Sequence, residues 1–135
     1  MATRNYYTGK YKLNTAEYLS AKYYELRYND WLAEYNALKD SMGAIVADDM
    51  PHAVNNISDP TERLAERRAV LSTKMQVIEN TAKEASRELW KYIFIMVTTE
   101  GMTFDRLKAE HNVPCEKDMF YDRRRKFYYL LSKKI

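Results

Sequence analysis

The chain has 135 residues, with 22 Lys/Arg against 19 Asp/Glu for a net charge of +3, and only three glycines, three prolines and one cysteine. This length predicts one domain, or one domain with an appended helical arm, large enough to bury a core without staples. A lone Cys115 excludes an internal disulfide, and the absence of Asn-Gly and Asp-Gly pairs argues against a β architecture, which leaves an all-α chain.

Residues 1–14 mix Arg4, Lys10 and Lys12 with three tyrosines and no acid, and are expected to be a flexible basic tail. A sharper reading makes them an arm along a nucleic-acid backbone. The same start lacks an apolar signal segment. The YIFIMV run at 92–97 is far too short to cross a bilayer. A cytoplasmic protein with no membrane contact is therefore expected.

From Thr15 to about Met42, the residues Tyr24, Tyr28, Trp31, Tyr35, Leu38 and Met42 recur at steps of three and four, one face of an amphipathic helix. Asn14 and Glu17 have the spacing of a capping box. Asn29-Asp30 leaves open whether this is one helix or two, and Gly43 is expected to end it. Residues 15–58 thus form an N-terminal helical region and linker.

Asp59, Pro60 and Glu62 mark the next helix start, opening a helical unit over 59–135. Leu64, Leu71, Ile78 and Ala85 lie seven apart, with Met75 and Ala82 at the half-steps. That seam must pack on the first helix or on a second subunit, the latter giving a homodimer through Leu64, Leu71, Met75 and Ile78. Ser86 is positioned to cap a third helix whose apolar residues nearly encircle it, so it should be deeply buried.

Beyond Gly101 the charge changes character. Nine Lys/Arg face five Asp/Glu there, whereas residues 1–100 carry 13 against 14. Thr103 caps a short helix with Phe104 and Leu107 inward. His111-Asn112-Val113-Pro114 is a turn, with Asn112 suited to a left-handed backbone and Val113 as an apolar plug. A long basic helix follows from about Cys115 or Glu116, with Phe120, Phe127, Leu130 and Leu131 toward the core. This is helix-turn-helix grammar over 103–134, packed against the N-terminal helical arm and the long helix.

In such a motif the start of the second helix reads base edges. Lys117, Tyr121 and Arg125 are assigned to the groove, with Asp118 and Asp122 orienting them or reading cytosine amines. Tyr128 is placed on the same outward side. Arg123, Arg124, Lys126, Lys133 and Lys134 are assigned to phosphates. The plainer reading of the basic run is a solvated helix end.

Asp48-Asp49-x-x-His52 and His111-x-x-x-Cys115 lack a full ligand set, so no metal and no cofactor are expected. Cys115, close to a helix start, is either a reactive thiol or a packed one. No Walker loop, GxGxxG, GxSxG or HExxH occurs, and an enzyme is not expected.

The run V-P-C-x-x-D-x-F-Y-x-x-R-R-K-F at 113–127, with the capped helix at 59–85, resembles small proteins of Firmicutes prophages and integrative elements. In particular it is similar to RinA/ArpU-type phage late-gene transcriptional regulators, whose C-terminal helix-turn-helix is like the promoter-reading fourth region of bacterial sigma factors. The likeness covers about the last 75 residues. It implies double-stranded DNA as partner, host RNA polymerase or another host protein as a second, and the cytoplasm of a bacterial host cell. Three residues, Cys115 to Lys117, precede Asp118 where the sigma-type pattern enters its helix sooner, which shifts the register of the groove-facing side chains. Two other readings stand beside this one. One is a small-terminase-like packaging protein assembled into rings; the other is an anti-CRISPR-like inhibitor that binds a host protein through its aromatic N-terminal helix.

Overall fold

In a computed structural model the described residues are 5–7, 10–47 and 60–135. Strands β1 (Asn5–Tyr7) and β2 (Leu13–Asn14) pair antiparallel, Asn5 opposite Asn14 and Tyr7 opposite Leu13. The described part of the expected flexible tail is thus a short ribbon, anchored because Leu13 is fully buried. Among the described residues all remaining regular structure is helical.

Helix α1 (Thr15–Leu26) begins at the expected capping box. The Glu17 N–H donates to Asn14 Oδ1 at 2.8 Å, and the Asn14 N–H donates to Glu17 Oε1 at 3.1 Å. Arg27 ends it, and α2 (Tyr28–Ala47) starts at the next residue, the Trp31 N–H donating to the Arg27 carbonyl. The structure therefore has two helices, divided just before Asn29-Asp30. Gly43 does not end α2, which runs through it to Ala47. One glycine costs a helix only about 1 kcal/mol, too little to stop it without a left-handed cap. Asp48, His52 and Asp59 lie outside the described residues.

Helix α3 (Pro60–Ala85) has Pro60 at its first position, where the missing N–H costs nothing. Its seam is spent inside the chain: Leu71, Met75, Ile78, Ala82 and Ala85 are buried and Leu64 is half-buried, with α2, α4 and α6 packed along the helix. The homodimer seam of Leu64, Leu71, Met75 and Ile78 is thereby corrected to an intramolecular one. Arg67 grips Glu34 of α2 with two bonds of 2.8 and 3.1 Å, holding that carboxyl below its usual range. Trp31 of α2 is buried, and the cations of Arg27 and Lys74 lie 5.2 and 5.5 Å from its ring.

Ser86 caps a turn rather than the third helix. Its Oγ accepts from the Leu89 N–H, and α4 starts three residues later than the cap predicted, at Trp90 (Trp90–Thr98). Ile93, Met96 and Val97 are buried, while Trp90, Phe94 and Ile95 are half-buried. Gly101, at φ 76°, turns the chain into α5 (Phe104–His111), and α6 (Lys117–Lys134) closes the fold. The chain is all-α apart from the ribbon, and among the described residues no helix is long and apolar enough to cross a membrane.

Candidate nucleic-acid interface

The α5–turn–α6 unit is built from local signals. Thr103 Oγ1 accepts from the Arg106 N–H, capping α5. Asn112 ends α5 in the left-handed region (φ 57°, ψ 51°), its N–H returning to the Lys108 carbonyl. Val113 then drops into the core, 3 % exposed. The turn runs to Glu116, longer than the four residues expected, because α6 takes Glu116 as N-cap and Lys117 as its first residue. Phe104 ties the two helices together, its ring 5.3 Å from Phe120 and 6.1 Å from Tyr121.

Phe120, Phe127 and Leu131 are fully buried, as their stripe predicts, and Leu130 is half-buried. Lys117, Asp118 and Arg125 are exposed, spaced to share the outer face of the first two and a half turns, with Met119 beside them. Tyr121 is half-buried: its ring lies under the Arg124 guanidinium at 4.4 Å, and Lys117 is 5.9 Å from it. Asp122 accepts from Arg123 at 2.8 Å, so these two neighbours neutralise each other on the rim.

Two assignments are corrected. Tyr128 does not face outward; it is 5 % exposed and donates from its hydroxyl to Glu25 Oε1 at 2.8 Å. Arg124 is no surface phosphate clamp. Its guanidinium lies between the rings of Tyr121 and Tyr128, its Nη1 meets Met96 Sδ at 3.5 Å, and its Nε is buried without a partner. Lys133 and Lys134 are exposed but paired: Lys133 with Glu17 at 3.5 Å, Lys134 with Glu84 at 3.0 Å and with Thr81 Oγ1 at 2.9 Å. Of the other cations of α6, Lys117 and Arg125 are exposed and Lys126 is half-exposed.

The residue that composition and spacing did not single out is Glu25. Burial pushes its carboxyl well above the usual range, opposed by the Tyr128 bond and by the charges of Arg124 and Lys22. Tyr128 is pushed up in turn, by burial first and then by Glu25. A glutamate on the buried stripe of α1 was the only sign available in the chain.

Comparison with protein-family models, curated proteins and solved structures finds no match. The site is therefore read from its own geometry. Cys115 sits half-buried in a shallow depression with Val113, Pro114 and Met119, and burial pushes its thiol up, so it is a packed thiol and not an activated one. His111 is exposed, 4.0 Å from Glu110, and among the described residues no three metal-ligating side chains converge.

Proposed function

We propose that this protein binds double-stranded DNA through α6 and acts as a transcriptional regulator of a phage or mobile element. The observation that carries the reading is the outward face of Lys117, Asp118 and Arg125 at the start of α6, set behind a capped α5 and a left-handed Asn112 turn. That arrangement leaves a helix end free to enter a major groove while Phe104, Val113 and Phe120 hold it from behind. Arg125 reads a guanine edge, Lys117 and Tyr121 flank it, Asp118 and Asp122 orient them, and Lys126 meets phosphate.

The test is a gel shift with DNA from the gene's own neighbourhood, across a salt series with random competitor. A specific complex is expected, with a modest log–log salt slope near about −3 from Lys117, Arg125 and Lys126. Arg125→Ala should lose about 1–3 kcal/mol of discrimination between sequences. Lys126→Ala should weaken all DNA evenly and reduce the slope by about one. Equal effects of the two changes, or binding abolished by modest salt, would sink the assignment.

A second reading, a protein-binding inhibitor of host defence, draws on the half-buried apolar surface of Tyr28, Trp90, Phe94 and Ile95. Host-protein capture that survives Arg125→Ala and is lost with Phe94→Ala would favour it.

A further inference from the structure

Behind the outward face of α6 a cavity of about 250 Å³ opens between α1, the 99–102 turn and α6. It falls below the ~300–1,000 Å³ of drug-sized sites, yet it far exceeds the roughly 30 Å³ that one water occupies. Its lining combines two cations, Lys22 and Arg124, with four apolar side chains, Leu26, Met96, Val97 and Met102. Among the described residues neither cation forms an ion pair. Each lies over a ring face, Lys22 over Tyr18 at 5.9 Å and Arg124 over Tyr121 at 4.4 Å, and both bear on the buried Glu25 carboxyl without forming an ion pair with it. Such contacts are weaker than a paired carboxylate.

We propose that this cavity binds a small organic carboxylate, its head held by Lys22 and Arg124 and its short tail covering Leu26, Met96, Val97 and Met102. Inorganic phosphate or sulfate would satisfy the cations but leave the apolar lining wet. A second negative charge on the ligand would meet Glu25 of α1 and Glu100 of the turn. The other titratable groups facing the cavity are Tyr18 from α1 and Tyr128 from α6. The site stands apart from the DNA face and does not rest on the DNA reading.

Glu25 supplies a signature. A carboxylate bound beside it repels its ionised form, so affinity rises as pH falls through the raised range of Glu25 while the ligand itself stays ionised.

The experiment is an NMR titration of the full chain with butyrate, acetate and inorganic phosphate at several pH values. Butyrate should bind saturably and about tenfold tighter than acetate, because two more methylenes are buried. Lys22→Met, at a half-buried position without an ion pair, should keep the fold and weaken butyrate about tenfold. Glu25→Gln should hold butyrate with an affinity that no longer depends on pH. The proposal is overturned if butyrate does not saturate, if phosphate binds as well as butyrate, or if Lys22→Met leaves the affinity unchanged.

Discussion

At the scale of single residues, Glu25 is the one buried charged side chain among the described residues. It is 2 % exposed, one carboxylate oxygen accepts from Tyr128 and the other is buried without a partner. Because burial raises its folded pKa above the unfolded value, the protonated form is the one the fold favours. Its contribution to stability is fully present below the ordinary carboxylate range and is lost as pH climbs through the raised value. Glu25→Gln keeps an acceptor for Tyr128 and removes that loss. Thermal melts should therefore show the variant gaining on the parent steadily from acidic to neutral pH. A difference that stays flat across this range would show that Glu25 is ionised throughout. The same residue explains why Arg124 belongs to the interior: it sits in the cationic run of α6 but is turned toward this acid and its aromatic neighbours.

At the scale of elements, several helix boundaries were legible from side chains that bond a nearby backbone group or from residues whose own backbone preference suits a helix end. The Asn14–Glu17 box, the Thr103 cap, Pro60 at the start of α3 and the left-handed Asn112 all sit where the chain predicts. Ser86 shows the limit, because the same local bond also serves a lone turn, and nothing within reach says that the helix waits until Trp90. Thr103→Ala should cost about 1 kcal/mol by leaving the Arg106 N–H to water. Asn112→Ala should cost a similar ~1 kcal/mol through its left-handed backbone. In a chain of this size each lowers the melting temperature by about 2–5 °C. If Asn112→Gly fails to match or exceed the parent, the left-handed turn is not what limits α5.

At the scale of the whole molecule, the site assignments that changed are those decided by distant partners. Tyr128 and Glu25 are 103 positions apart, and Lys134 and Thr81 are 53 apart. Periodicity along α6 shows which residues share a face; it does not show that α1 and α3 cover the second half of that face. With α1 on α6 and α2 on α3, the C-terminal unit leans on the N-terminal arm through Tyr18–Tyr128 at 5.0 Å and the Arg67–Glu34 pair. A fragment of residues 60–135 should thus bind an apolar dye and melt broadly, where the full chain melts sharply. A sharp melt near that of the full chain would show that α3 and α4 suffice to hold α6.

The two tryptophans occupy contrasting surroundings. Trp31 is enclosed between α2 and α3, and Trp90 stands half open at the start of α4 with the ammonium of Lys83 4.8 Å from its ring. The molecule therefore carries two indole fluorophores of different colour, one on the N-terminal arm and one on the C-terminal unit. In Trp90→Phe the remaining emission should be blue-shifted and poorly quenched by iodide, and it should report the loosening of the arm alone. In Trp31→Phe the spectrum should shift red and become quenchable, so that separation of the two halves can be timed without an attached label.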